Sequence, residues 1–248
     1  MKNKKQENRY LSVITNFGCH YSCPYCIVKN CGIKVPKTTV EGLQGLERAI
    51  VEHDCNWVSI SGGGDPFYKL EEHIDWWKRF NEITSDPALG VKTELHTSYL
   101  SDTYDDDYTP FWPFNRVVYH CHKVTDLFRI KRYGGQMVRV VYVVTEDFTE
   151  EMIDDISTIV KYHPYIDELS FRQMVDRDYQ ATHYCEEYLK AGHKKDWWYI
   201  ERSNNMPDIN IEIKPVREHW EVYINGTFTC SADTHQEAVE ELREVLKM

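Results

Sequence analysis

The sequence lacks any apolar run long enough to cross a bilayer, and no apolar signal-peptide segment follows its first residues. These absences predict a cytoplasmic protein without a membrane partner, in which thiols stay reduced. A clustered basic face is also missing: 29 basic residues stand against 40 acidic ones, the formal net charge is −11, and the single basic run lies in a polar N-terminal tail. Nucleic acid is therefore disfavoured as a partner, because proteins that bind it usually carry such a face.

Hydrophobic residues make up 42% of the 248 positions, enough for the core of one sizeable domain with a small appendage. Six short β-branched and aromatic runs alternate with helical spacings of apolar residues, which predicts parallel βα units of the α/β class. Such units form an open doubly wound sheet or a barrel, and in both the functional groups collect at the carboxyl ends of the strands. The predicted strands are residues 11–15, 57–61, 91–97, 116–120, 137–145 and 168–174, and the predicted helices are residues 39–53, 70–83, 125–132 and one opening at Thr149.

The pattern changes in the C-terminal third of the chain. Residues 178–200 predict a helix, and residues 220–232 predict a hairpin that turns at Asn225-Gly226, a pair that favours tight turns. A capping box, Thr234-His-Gln-Glu237, then predicts a final helix. This ββα tail is too small to fold alone, so we expect it to pack on the main domain.

Three cysteines lie within eight positions, at Cys19, Cys23 and Cys26, directly after the first predicted strand. Three is one short of the four ligands of a structural zinc site or of an electron-transfer iron–sulfur cluster, and His20 or Cys31 could supply the fourth. A cluster held by three thiolates would instead leave one iron open to a substrate-like ligand. The spacing alone leaves these alternatives open.

The spacing C-x3-C-x2-C, with the aromatic Tyr25 before the last cysteine, resembles the signature of radical S-adenosylmethionine (SAM) enzymes. Members of that family carry this loop after the first strand of a partial (β/α)6 barrel. The resemblance implies that Cys19, Cys23 and Cys26 ligate three irons of a [4Fe–4S] cluster, while the amino and carboxylate groups of SAM chelate the fourth. It also places Tyr25 beside the cofactor.

A second motif, Ser61-Gly-Gly-Gly-Asp65-Pro66, follows the second predicted strand and resembles the family's GGEP motif, with Asp65 in place of Glu and one extra glycine. Glycines there let the backbone approach the methionine amino group closely, and the Asp65 carboxylate could help to hold that cation. The resemblance therefore assigns to SAM binding the residues Gly62, Gly63, Gly64, Asp65 and Pro66.

Further candidates match the family by position rather than by motif. Thr97 and Ser98 end the third strand, where the family often has a turn near the nucleoside. His120 and His122 flank the end of the fourth strand, where members place polar groups for the ribose or carboxylate; a satisfied, partly buried imidazole is the alternative for each. Arg172 and Gln173 end the sixth strand and could face the pocket, although a surface or structural pair is the alternative.

The resemblance covers roughly residues 10–175 and implies a radical SAM core there, after a flexible tail (1–9) and before a capping extension (176–248) packed on the core. Cys185 and Cys230 are too few for an auxiliary cluster, so we expect a single one. The family chemistry implies an electron donor such as flavodoxin or ferredoxin, and cleavage of SAM to a 5′-deoxyadenosyl radical. That radical would take hydrogen from a small-molecule or peptide substrate, and no side chain is assigned a catalytic role.

Two alternatives to this function remain open from the sequence. The first is an activase that places a glycyl radical on a partner enzyme, which the compact size would fit. The second belongs to another class and is a non-catalytic metal-binding module, in which His20 or Cys31 closes the site with a fourth ligand.

Overall fold

The computed structural model describes residues 8–100, 114–176, 180–193, 198–202, 209–211, 222–224 and 227–230. Its central feature is a sheet in which six parallel strands lie side by side in the order in which they occur along the chain. All six strands predicted from the sequence are present, with ends that shift by at most one residue. They are β1 (Tyr10–Thr15), β2 (Trp57–Gly62), β3 (Lys92–Thr97), β4 (Arg116–Cys121), β5 (Met137–Val144) and β6 (Glu168–Gln173).

The order of the strands favours one of the two architectures that the sequence left open. A doubly wound sheet reverses its strand order at one point, so that helices cover both faces. Here the order never reverses, and right-handed crossovers that always advance in one direction place their helices on one face. The sheet is not closed within the described residues, so the partial-barrel geometry stays a prediction, but the winding is of the barrel kind.

The helices lie where the apolar spacing predicts them, although several begin with a tighter 3-10 turn. Residues 39–53 form a 3-10 segment, Glu41–Gly45, followed by an α-helix, because Gly42 and Gly45 weaken the first turn. The Thr149 hydroxyl accepts a bond from the Met152 N–H at 3.2 Å and caps its helix as predicted. The α-helices are α1 (Ile27–Asn30), α2 (Leu46–Glu52), α3 (Ile74–Thr84), α4 (Glu150–Tyr162) and α5 (Glu186–His193), and the further 3-10 segments are Leu70–His73 and Val124–Arg129.

One face of the sheet is apolar and carries the core. Successive strand residues point to opposite faces, so every second residue of β1 to β6 packs against the helices. Burying this much apolar surface is the main source of stability. The buried cluster includes Leu11, Val58, Ile60, Leu95, Val117, Val138, Val140, Leu169 and Phe171 from the strands, and Leu46, Ile50, Trp77, Phe80, Ile153, Ile156 and Val160 from the helices.

The opposite face, which we call the inner face, is polar although much of it is buried. A sheet with helices on both faces would carry apolar residues at these positions too. Polar side chains buried in a protein are retained when they are bonded to one another or to a ligand. The polar residues of the inner face are Ser59 of β2, Glu94 and His96 of β3, Arg116 and His120 of β4, Arg139 of β5, and Glu168, Ser170 and Arg172 of β6; the buried Val118 and Val141 also lie on this face.

The C-terminal third differs from the prediction at one element. Residues 178–200 were expected to form one helix; the structure has the shorter α5 and then the strand β7 (Trp198–Arg202), which pairs antiparallel with β6. Aromatic and β-branched residues at 198–200 favour a strand, and β7 satisfies the backbone groups along the β6 edge. β8 (Ile209–Ile211) continues the sheet.

The predicted hairpin around Asn225-Gly226 is confirmed as β9 (Val222–Ile224) paired antiparallel with β10 (Thr227–Cys230). The predicted helix after Thr234, the turn residues 225–226 and most of the N-terminal tail lie outside the described residues. No helix in the described ranges combines the length and the apolar character needed to cross a bilayer.

Candidate functional site

The three clustered cysteines lie in the loop of residues 16–26, the cysteine loop, which joins the carboxyl end of β1 to α1. The Cys26 N–H donates to the Cys23 carbonyl at 3.1 Å, and α1 begins at the next residue. All three thiols are half-buried and none is in a disulfide. The Tyr21 N–H points at the Cys19 sulfur at 3.4 Å, so backbone dipoles already face one of these sulfur atoms.

The electrostatics of the cysteine loop suit a cationic iron centre. Burial raises the pKa of the Cys23 thiol, and the neighbouring Cys19 and Cys26 raise it further, because thiolates this close repel one another. A bound cation removes that penalty. Within the described ranges, no group of three His, Cys, Asp or Glu side chains is arranged as the ligands of a metal ion. Cysteine thiolates are the usual ligands of iron–sulfur clusters, and the chemistry of these three side chains is compatible with such a cluster.

A turn of residues 62–65, the glycine turn, follows β2 and packs directly on the cysteine loop. The Gly63 N–H donates to the Thr15 carbonyl and the Asp65 N–H donates to the Gly18 carbonyl, both at 2.7 Å. The sequence predicts that both loops project from one edge of the sheet, and the structure joins them by backbone hydrogen bonds. Gly18 has φ +106°, a conformation open to glycine, and it immediately precedes Cys19.

A Gly64→Ala substitution should loosen this joint. A Cβ atom at position 64 would lie 2.0 Å from the Gly18 carbonyl oxygen, a backbone atom that cannot move aside without breaking the Asp65–Gly18 bond. We expect a loss of about 1–3 kcal/mol in the free energy of unfolding, measured by urea denaturation. The matched control is Gly135→Ala, where nothing lies within 4 Å of the new methyl group. Equal stability of both variants would contradict the proposed contact.

Asp65 fixes the glycine turn to the end of β3. The residue is 3% exposed, and its carboxylate accepts bonds from the Thr97 hydroxyl at 2.7 Å, the Ser98 N–H at 2.6 Å and the Phe67 N–H at 2.8 Å. The predicted contact with an amino cation stays a prediction. These bonds give the carboxylate a structural task, and they account for the predicted site residues Asp65, Thr97 and Ser98 lying together.

His122 connects the end of β4 to the cysteine loop. Its Nδ1 lies 2.8 Å from the Tyr25 hydroxyl, and its Nε2 lies 4.0 Å from the Cys23 sulfur. The ring also packs on Tyr21, with centroids 4.4 Å apart. If Tyr25 donates to Nδ1, the ring carries its hydrogen on Nε2, directed towards the sulfur. The structure therefore brings together three of the predicted site residues, Tyr25, His122 and Cys23.

His120, the other predicted histidine, is bonded within the inner face instead. Its Nε2 lies 3.0 Å from His96 Nδ1, and His96 Nε2 lies 2.9 Å from Glu94 Oε1. Neither His96 nor Glu94 was among the residues predicted from the sequence. The sequence does carry a signal for them, because strands whose polar residues recur at every second position indicate a polar face.

The comparisons with known proteins give only distant structural likeness. No family model matches the chain, and no curated protein matches it. Among solved structures, coproporphyrinogen III oxidase from Escherichia coli, described as a radical SAM enzyme, is similar at 16% identity and a TM-score of 0.38. The likeness covers 66% of this chain and 43% of that one, so the chain spans less than half of its length. At that score the likeness supports no argument, and the proposal below rests on the chain's own residues.

Proposed function

We propose that this chain is a radical SAM enzyme that acts on a small-molecule or peptide substrate. One observation carries the proposal. Three thiols on one short loop lie at the carboxyl end of β1, joined to a glycine turn that follows β2. Functional groups of parallel α/β sheets collect at that edge. A further support is the inner face, on which the polar side chains of His120 and Arg172 lie near the carboxyl ends of β4 and β6.

Some residues of the site would bind the cluster, and others would form its surroundings. Cys19, Cys23 and Cys26 would hold a [4Fe–4S] cluster by their sulfur atoms. The glycine turn offers backbone close to that cluster, where a bulkier residue would not fit. When bound, the cluster and SAM together supply reductive cleavage of SAM and a 5′-deoxyadenosyl radical that takes hydrogen from the substrate. Tyr25 and His122 are bonded to each other beside Cys23 and would help to hold that part of the cysteine loop in place.

Anaerobic reconstitution of the full chain with iron and sulfide tests the proposal. We expect about four irons and four sulfides per chain, as a [4Fe–4S] cluster requires, and a brown protein. With SAM and dithionite, the reconstituted chain should release 5′-deoxyadenosine, measured by liquid chromatography. Omission of dithionite is the control, because cleavage of the sulfonium consumes one electron.

The outcomes separate the alternatives. A colourless protein with one zinc per chain and no deoxyadenosine would overturn the proposal in favour of a closed metal-binding module. A brown protein that does not cleave SAM would point to an electron-transfer cluster with four protein ligands. Cleavage that rises only when a partner protein is added would support the activase.

A further inference from the structure

Three side chains on the inner face, from β3 and β4, form a continuous hydrogen-bonded chain. Glu94 Oε1 accepts from the Ser59 hydroxyl at 2.9 Å and faces His96 Nε2 at the same distance. His96 Nδ1 then faces His120 Nε2 at 3.0 Å. The side chain of His96 is 15% exposed and that of Glu94 is 6% exposed, so these hydrogen bonds lie inside the protein rather than on its surface.

The environment sets the charge of each member. Burial alone would raise the pKa of Glu94, but His96 and Arg116 beside it outweigh burial and hold the pKa well below its ordinary value. Burial lowers the pKa of His96, and Glu94 offsets only part of that effect. Burial also lowers the pKa of His120 well below its ordinary value, and His96 and Arg172 lower it further. At neutral pH the three bonded side chains are therefore one carboxylate and two neutral imidazole rings.

These charges determine which ring nitrogens carry hydrogen. A carboxylate can only accept, so His96 carries its hydrogen on Nε2, and its Nδ1 is left as an acceptor. His120 must then donate from Nε2, which leaves a lone pair on His120 Nδ1. Within the described part of the chain, no side chain or backbone group is bonded to that atom.

We propose that Glu94, His96 and His120 form a proton relay, in which His120 Nδ1 takes a proton from a hydroxyl or ammonium group of a substrate bound on the inner face. The bond from oxygen or nitrogen to hydrogen breaks and leaves its electron pair on the substrate. An N–H bond forms at His120 Nδ1, and the proton on His120 Nε2 passes to His96 Nδ1. The positive charge comes to rest on His96, in contact with the Glu94 carboxylate, which stabilises it.

The open end of the relay lies close to the proposed cluster site. His120 lies near the end of β4, His122 follows the strand directly, and the two rings are near enough for their charges to interact. His122 in turn contacts Tyr25 and Cys23 of the cysteine loop. The inference rests on the proposed function only for the reaction that the substrate undergoes, since the relay itself needs no metal.

Other charged groups face the relay and set the direction of its titration. Glu94 on β3 favours a proton on the histidine pair, while Arg139 on β5 and Arg172 on β6 oppose it. His122, the residue after β4, would oppose it when protonated. Because one carboxylate is in direct contact with the pair, we expect that carboxylate to have the largest single effect on the pH at which the pair takes up a proton.

Nuclear magnetic resonance of the full chain, labelled with ¹⁵N-histidine and kept free of iron, tests the relay. At neutral pH we expect both rings to be neutral with hydrogen on Nε2, and a scalar coupling across the bond from His120 Nε2 to His96 Nδ1. On acidification both rings should change at one shared midpoint, because the proton is passed between them. Hydrogen on His96 Nδ1, or two independent midpoints, would overturn the relay.

A Glu94→Gln variant and a matched control sharpen the test. Loss of the carboxylate next to His96 should lower the shared midpoint by about one pH unit or more. Glu168→Gln removes another buried carboxylate of the inner face, one that is bonded to Arg139, and should lower the midpoint less. Equal shifts in both variants would overturn the relay, because they would reflect only the general field. If Glu94→Gln does not fold, the wild-type titration decides.

These measurements separate the relay from the proposed function. They are made without iron, so a chain that fails to assemble a cluster can still show a shared midpoint. A protein that assembles a cluster and cleaves SAM can equally show two independent midpoints in the histidine titration. That result would overturn the relay and leave the proposed function unaffected.

Discussion

A Cys26→Ala variant should lose the cluster, whereas a Cys31→Ala variant should keep it. Cys26 lies in the cysteine loop with two other half-buried thiols whose charges interact. Cys31 lies beyond α1, one helical turn further along, where its N–H donates to the Ile27 carbonyl at 2.9 Å. After anaerobic reconstitution, we expect iron content, visible absorbance and deoxyadenosine release to fall to background for Cys26→Ala. For Cys31→Ala we expect all three to match the wild type.

The same experiment with Cys19→Ala and Cys23→Ala completes the comparison, since all three ligands are needed to retain the cluster. Loss of iron from Cys31→Ala as well would show a site closed by four cysteines, with no iron left for SAM. Retention of iron by any of the three cysteine-loop variants would show that the thiol in question is not a ligand. Either result would refute the assignment of three ligands and one open iron.

The two loops of the candidate site could be predicted from the sequence because their signals are local. Three cysteines at fixed spacing and three consecutive glycines each stand out within a few residues. The alternation of strands and helices then places both loops at one edge of the sheet, before any contact is known. What the sequence did not reveal is the reason for Gly64, which is that its backbone packs against Gly18, 46 residues earlier.

The inner face was harder to predict because its signal is spread over five strands. Glu94 and His96 look like ordinary polar residues of one strand until their neighbours across the sheet are known. Only the register shows that Glu94 lies opposite Arg116 and that Arg139 lies opposite Glu168. Similarly, β7 was predicted as helix because its pairing partner, β6, lies outside any local window. Local sequence patterns therefore predicted the two loops. Which charged residues lie opposite each other on the inner face depends on the pairing of strands that are distant in sequence.

An Arg116→Met substitution should be among the most destabilising changes in the inner face. The Arg116 side chain is 9% exposed, and its guanidinium donates to Glu94 and, at 2.7 Å, to the Tyr10 hydroxyl. It also lies 4.8 Å from the ring centre of Trp57. Methionine would fill much of the volume but leave a buried carboxylate without its arginine. We expect a loss of about 3–5 kcal/mol in the free energy of unfolding, measured by urea denaturation at neutral pH.

Two controls and the pH dependence test whether charge is the cause of that loss. Arg79→Met breaks a helix-surface pair with Glu82, 48% and 64% exposed, and should cost no more than about 1 kcal/mol. The double variant Glu94→Gln/Arg116→Met removes both charges and should be less destabilised than Arg116→Met alone.

The pKa of Glu94 is lowered in the folded chain, so the contribution of its carboxylate to the free energy of unfolding is present above the ordinary value of 4.5 and is lost as pH falls below it. Without Arg116 the pKa of Glu94 rises, so the variant loses less free energy of unfolding on acidification than the wild type does. The difference in free energy of unfolding between Arg116→Met and wild type should therefore become smaller below pH 4.5. A gap that stays constant with pH would show that lost packing, rather than an unpaired charge, accounts for the destabilisation.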